Sequence, residues 1–264
     1  MENILEKIAA RTVERVEEKS RVRSFASVRE EAESLAKAEG EHFFHFETAL
    51  AAEGMSYICE VKKASPSKGV IAQDFPYLDI AKEYEAAGAS AISVLTEPFW
   101  FQGSDAYLKQ IADSVAIPVL RKDFTVDPYM ICEAKILGAS AVLLICSLLE
   151  TSRLREYFLQ ADELGLSALV EAHDEKEVEM ALAAGARVIG VNNRNLKDFT
   201  VDIGNSIRLR SMVPDEILFV SESGMKEPED IKRLLENKVN GVLIGESLMR
   251  SNDKKAELDR LLGR

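Results

Sequence analysis

Apolar and polar positions follow two rhythms along this chain. Over the first fifty residues the rhythm is helical. Leu5, Ile8, Ala9, Thr12, Val13 and Val16 form a stripe flanked by Glu6, Lys7, Arg11, Glu14 and Arg15, the spacing of an amphipathic helix. A second, charged helix is predicted over 27–39, ending at Gly40, and no strand is expected before Tyr57. From there, β-branched runs alternate with amphipathic helices. The strand runs are YICEVKK, ASAISVLTE, IPVLRKDF, SAVLLICSLL, SALVEAH, RVIGVNNR, ILFVSESG and GVLIGESL. Gly88, Gly138, Gly165 and Gly185 stand where helices would stop on a left-handed residue. YEAAGASAISVL, AKILGASAVLLI and LAAGARVIGV resemble one another weakly, one βα unit each. Alternating βα units predict a parallel sheet covered by helices. Eight of them in roughly 210 residues predict an α/β fold of the (β/α)8 TIM-barrel type with an N-terminal helical extension. The rival, a doubly wound open sheet, is disfavoured because no G-x-G-x-x-G follows the first strand. With no Pro/Gly/Ser-rich linker, the expectation is one domain over 1–264: a helical extension over 1–50 and a barrel over 57–264.

The strand runs end in charges, which a core does not tolerate unless they are paired. In a barrel, however, the C-terminal strand ends form the active site. Residues two apart share a strand face, so Glu60 and Lys62 point together while Lys63 points away. Lys122 and Phe124 share a face on the third strand. The fifth supplies Glu171, the sixth Asn192 and Arg194. The seventh and eighth end in the small turns Ser221-Glu222-Ser223-Gly224 and Gly245-Glu246-Ser247. At these two positions of a barrel, backbone N–H groups commonly hold a phosphate, so Ser223, Gly224, Gly245 and Glu246 are the expected anion site. Phe101, in PFWF just after the second strand, is read as a substrate contact. His42 and His45 have no further ligands nearby, and no metal site is expected. His173, two residues after Glu171, is placed to assist it, although a structural hydrogen bond is the preferred reading.

Charge narrows the partners. The chain carries 33 basic and 45 acidic side chains, a net charge of −12, which argues against nucleic acid and anionic membranes. An anionic ligand must then be drawn in by local lysines against the overall field. Cys59, Cys132 and Cys146 are widely spaced and read as buried thiols of a reducing compartment. The charged N-terminus is not a secretory signal, and AVLLIC, the longest apolar run, is far shorter than the ~20 residues of a membrane span. A cytoplasmic protein is expected, and a monomer.

Taken in order, CEVKKASPSKG, LTEPFWFQGS, PVLRKDF, LVEAHD, IGVNNRNL, SESG and LIGESLM resemble the indole-3-glycerol-phosphate synthase family of tryptophan biosynthesis over nearly the whole chain. The resemblance implies that the N-terminal extension covers the barrel mouth, and that a second barrel, fused in some relatives, is not expected after the eighth unit. It implies the substrate 1-(2-carboxyphenylamino)-1-deoxyribulose 5-phosphate, an anion carrying phosphate and carboxylate, and a ring closure that releases CO2 and water. It carries Glu60, Lys62, Ser65, Lys122, Glu171, Asn192, Arg194 and Ser223 onto catalytic or binding positions. Phe101, Phe124 and Leu243 fall on the apolar wall around the anthranilate ring. Glu246 departs from the family, some members having Ser beside the phosphate, so its acid must turn aside. In such a reaction Lys122 can protonate the ketose oxygen as the ring closes. Glu171 and Lys62 suit the base and acid of the dehydration, Lys62 can also neutralise the phosphate, and Glu60 can orient Lys62. No cofactor is required. The rivals are a Schiff-base aldolase using Lys122 or Lys62 and a non-catalytic phosphate-binding barrel, which the retained acid–base residues disfavour.

Overall fold

A computed structural model describes residues 4–195 and 200–263; Leu196, the last residue of IGVNNRNL, lies outside them. Eight parallel strands close into a barrel: β1 (Ser56–Val61), β2 (Ala91–Leu95), β3 (Val119–Lys122), β4 (Ala141–Ile145), β5 (Ser167–Ala172), β6 (Val188–Asn192), β7 (Leu218–Glu222) and β8 (Gly241–Ile244). Each pairs with its sequence neighbour, and β1 closes the ring against β8, with Ser56 opposite Gly241 and Cys59 opposite Ile244. The strands are buried on both faces, which is why they read as near-continuous apolar runs.

The helices are α1 (Ile4–Val22), α2 (Phe25–Glu39), α3 (His45–Leu50), α4 (Tyr77–Ala86), α5 (Asp105–Ala112), α6 (Pro128–Ile136), α7 (Thr151–Glu163), α8 (Glu175–Ala184), α9 (Gly204–Arg210), α10 (Pro228–Glu236), α11 (Glu246–Arg250) and α12 (Lys254–Leu261). Short side chains cap several of them: Ser104 accepts from Ala106 N, Asp127 from Tyr129 N, and Asp174 from Glu177 N. Gly88, Gly138, Gly165 and Gly185, expected at helix ends, all have positive φ. As expected, the described residues before β1 form helices joined by short connections, with no strand among them.

The first and third helices pack against opposite ends of the barrel. Leu5 and Ile8 of α1 pack with Phe124 and Leu243 at the C-terminal ends of the strands. Phe46 and Leu50 of α3, both fully buried, join the same interior cluster. Leu50 lies where a side chain at Gly241 would be, at the start of β8, so α3 plugs the opposite end. Each large apolar side chain buried this way contributes about 1.5–3 kcal/mol. Helix α1 is also fixed by charge. Arg15 donates to both oxygens of buried Asp123 at 2.8 Å, and Lys19 pairs with Asp105 and Glu133. Fully buried Arg121 donates to the same two acids at 2.8 and 2.6 Å. Arg121 faces the helical layer, whereas its neighbour Lys122 faces the barrel axis. This is the two-residue period of a strand at work.

Candidate active site

The barrel interior is layered by strand parity. Ile58, Leu120, Leu169 and Val220, one from each odd-numbered strand, pack together on the axis. Two residues further along the same strands stand Glu60, Lys122, Glu171 and Glu222. They line a cavity of about 1050 Å3 that opens at the C-terminal strand ends. Alternate strands supplying one layer is the barrel's rule, and here the uppermost odd layer is charged. From the even strands, Leu95, Ile145 and Asn192 line the same cavity. Gly190 of β6 makes room: a Cβ there would collide with Glu222 Oε1 and sit 3.1 Å from Leu169 Cδ1.

Lys122 Nζ lies 2.9 Å from Glu171 Oε2 and 3.2 Å from Glu222 Oε2. Lys62 pairs with Glu60, as expected from their spacing. Burial works against the Lys122 charge, but Glu171, Glu222 and Glu60 together raise its pKa above the ordinary lysine value. Glu171 is opposed by burial too, yet Lys122, His173 and the Asn192 side chain hold it below the usual carboxylate range. Glu222 goes the other way. Burial and repulsion from Glu171 and Glu60 outweigh Lys122 and push it up to about 7. Charge balance explains the difference: two lysines face three buried carboxylates, so one carboxylate retains a proton most readily. The cluster can therefore give and take a proton near neutral pH.

The apolar wall stands beside this cluster. Phe101 and Phe124 are tilted at 42° with ring centroids 6.1 Å apart, and Leu243 is 5% exposed. Phe101 is presented by Glu97, a buried acid whose side chain accepts the backbone N–H groups of Phe99, Trp100 and Phe101 at 2.8–2.9 Å. Asp123 holds the other ring in place by accepting from Phe124 N at 2.8 Å and from Thr96 Oγ1 at 2.6 Å.

Ser65, Arg194, Ser223, Gly224, Gly245 and Glu246 also line the cavity, with Lys62 but not Lys63. Ser223 and Gly224 both have positive φ, 66° and 100°, in the turn after β7. Gly245 follows β8 beside the Lys62–Glu60 pair, since a Cβ on it would lie 3.0 Å from Lys62 Nζ. Glu246 is turned aside as its departure from the pattern requires: Arg250 and Lys68 take its Oε1 at 3.2 and 3.5 Å. Asn193, between Asn192 and Arg194, points away from the cavity and ties β6 to β7 through Ser221 Oγ and the Ser223 carbonyl. Seven basic and seven acidic side chains line the cavity, so it is free of the acidic excess of the whole chain.

All the expected site residues therefore converge on one cavity. Sequence reasoning passed over Glu222, which it took as part of a phosphate turn. The signal was present, since Val220 and Glu222 repeat the apolar-then-acid alternation of Ile58–Glu60 and Leu169–Glu171. Asp123 and Glu97 were also missed. Each is an acid beside the cavity whose role depends on contacts distant in sequence.

Four ionisable groups stacked on an apolar layer do little for the stability of a barrel; they mark a (β/α)8-barrel enzyme whose cavity is suited to proton transfer on a small molecule. The family model described as indole-3-glycerol phosphate synthase matches residues 5–261, and the chain belongs to that family. Among its relatives, the indole-3-glycerol phosphate synthase of Ruminiclostridium cellulolyticum is 59% identical over 260 residues, covering 98% of this chain and 99% of the relative. That of Endomicrobium trichonymphae is 53% identical over 258 residues, covering 98% and 99%. The tryptophan synthase complex of Pyrococcus furiosus contains a chain of similar fold, with a TM-score of 0.59 at 14% identity, covering 79% of this chain and 98% of that one. Among the described residues no helix is long and apolar enough to cross a membrane.

Proposed function

We propose that the cavity closes the indole ring of 1-(2-carboxyphenylamino)-1-deoxyribulose 5-phosphate, with loss of CO2 and water, through the cluster around Lys122. The observation that carries this assignment is Lys122 held as a cation between two carboxylates, in the same cavity as a paired aromatic wall. When an electron-rich ring carbon attacks the ketose carbonyl, its oxygen becomes an alkoxide. That oxyanion is basic enough to draw a proton even from a lysine of raised pKa, and before transfer the ammonium stabilises the developing charge. Loss of CO2 from the carbon that attacked restores the aromatic ring and leaves a hydroxyl on the former ketose carbon, to be expelled as water together with a proton from the neighbouring methylene carbon. Glu171, ionised, serves as the base of this dehydration, and Lys62 as its acid. Glu222, titrating near neutrality, is fitted to reset the cluster between turnovers.

The rest of the molecule fits the same substrate. Phe101, Phe124 and Leu243 hold the anthranilate ring, and Arg194 is the cation assigned to its carboxylate. Ser223, Gly224, Gly245 and Glu246 offer the phosphate their backbone N–H groups beside Lys62, while Ser65 and Asn192 contact the sugar chain. The helical extension acts as one unit with the barrel, since Ile4, Leu5 and Ile8 form part of the cavity wall. Every named residue comes from a single chain, so a monomer suffices and no nucleic acid is involved. The free, buried cysteines fit a reducing cytoplasm.

A Schiff-base aldolase would need Lys122 as a neutral amine; three carboxylates that favour its charged form oppose this. Purified protein incubated with the carboxyphenylamino substrate should therefore develop indole fluorescence and release CO2. Borohydride should trap no adduct. Folded protein that gives no indole signal would overturn the assignment, and a borohydride-dependent mass increase would favour the aldolase.

A further inference from the structure

His173 lies beside the reacting cluster without a part in the proton transfers described above. Its orientation originates in the local sequence HDEKE. Asp174 caps α8 by accepting from Glu177 N at 2.9 Å. Glu177, one turn into the helix, reaches back past the cap, and its Oε2 accepts from the His173 backbone N at 2.8 Å. The same oxygen lies 2.9 Å from His173 Nδ1. An ionised carboxylate can only accept, so Nδ1 carries the proton. Nε2 is consequently aimed at the cluster. It is buried, has no hydrogen-bond partner among the described residues, and stands 3.4 Å from Glu171 Oε1. Lys122 occupies the other oxygen of Glu171.

A neutral imidazole here would turn its Nε2 lone pair towards a carboxylate oxygen. An imidazolium would instead complete a line of alternating charge: Glu177, His173, Glu171, Lys122. We propose that His173 is a positioning residue for Glu171, its imidazolium holding that carboxylate ionised and turned towards Lys122 until Glu171 takes the substrate's proton. This inference rests on the assignment of Glu171 as a base. The charged groups facing the ring are Glu171 and, further off, Glu222 from β5 and β7, and Glu177 from α8, with Lys122 beyond Glu171; from α9, Asn205 donates to the His173 carbonyl at 3.1 Å. Burial opposes the charged ring, but the three carboxylates raise its pKa above the ordinary histidine value. With His173 only 19% exposed, solvent screens these charges weakly.

The chain has three histidines, so ring carbon–proton NMR signals can be followed individually, with that of His173 identified by its loss in His173→Asn. Its midpoint should lie above the ordinary imidazole range. It should fall by about one pH unit or more in Glu171→Gln and in Glu177→Gln, as expected on losing an opposite charge within ~4–6 Å. In turnover, His173→Asn should lower kcat about tenfold, with KM unchanged within about twofold. The same substitution in a Glu171→Gln background should change kcat by less than about twofold, since the effect passes through Glu171. A His173 midpoint indifferent to Glu171→Gln, or equal losses of kcat in both backgrounds, would reduce His173 to a packing residue of α8 and overturn the proposal. Failure of the ring-closure assignment would show separately, as unmodified protein that makes no indole product while the titrations remain coupled.

Discussion

Glu222→Gln isolates the cost of the charged layer. In the folded protein this carboxyl is pushed up to about 7 from an ordinary 4.5, because burial and the neighbouring Glu171 and Glu60 disfavour its charge more than Lys122 favours it. The folded state therefore binds this proton more tightly than the unfolded chain does. The stabilisation is fully present below the unfolded value and is lost as pH rises from about 4.5 through 7. A rise of that size amounts to roughly 3 kcal/mol. Glutamine has nearly the same shape and does not titrate, so the variant should lack this pH-dependent loss. Towards the Lys122 ammonium the glutamine carbonyl oxygen can accept as the protonated carboxyl does, so the variant resembles the wild type of about pH 5 at every pH. Comparing variant and wild type at about pH 5 and at about pH 8 isolates the titration of Glu222. The variant should gain roughly 3 kcal/mol relative to wild type between these two conditions, or about 6–12 °C in melting temperature for a chain of this size, while its kcat falls. Thermal melts of both proteins at the two pH values are the assay. Melting temperatures that stay parallel would refute the charge-balance reasoning for the whole cluster.

Lys122→Met keeps the aliphatic stem and should lower kcat by about 10²–10⁴-fold, leaving unreacted substrate in a rapid-quench single turnover. Glu171→Gln should instead accumulate a cyclised, not yet dehydrated species, and identical species from both would mean the roles are misassigned. Asp123→Asn strands the Arg15 guanidinium, which is 11% exposed. It should cost about 3–5 kcal/mol in denaturant melts and raise KM as α1 loosens, a result that unchanged melts would contradict. Gly224→Val places a β-branched residue at φ 100° against Val201, so KM should rise sharply. The dephosphorylated substrate should bind the unmodified enzyme poorly, given about 1.5–3 kcal/mol for each N–H bond to the phosphate, and tight binding of that analogue would place the anion elsewhere.

The barrel was legible because its signals are local. The period of two in YICEV and ALVEA, the helical stripe from Leu5 to Val16, and the glycines that end helices each depend on a few neighbouring residues. The site was legible to the same degree, as charges where apolar runs stop. Arg15–Asp123 spans 108 positions and Lys19–Glu133 spans 114. Nothing in the composition of α1 distinguishes these two cations from Arg11, whose acid partners lie on the same helix. Glu97 went unread in the sequence, because its role as acceptor for the backbone N–H groups of Phe99, Trp100 and Phe101 shows only in the fold. His173 shows the opposite case. A structural hydrogen bond was expected with no partner named, and the structure supplies Glu177; the second nitrogen became informative only when folding brought Glu171 to it.

The same packing rule makes the charged layer tolerable and useful. On odd strands the apolar layer of Ile58, Leu120, Leu169 and Val220 supports Glu60, Lys122, Glu171 and Glu222 from below, so these side chains have little room to swing away from one another. On even strands the interior positions beside them are small or apolar: Ser93 and Gly190 face Glu60 and Glu222 in the pairing register or by contact, and Leu143 and Leu243 line the cavity. Charge and space thus alternate around the ring. A larger residue at Gly190 would displace Glu222, and a polar one at Leu169 would wet the base of the cluster and weaken every interaction above it. The geometry of the charged cluster is consequently set by residues with no ionisable group of their own, two positions below its members and one strand to the side.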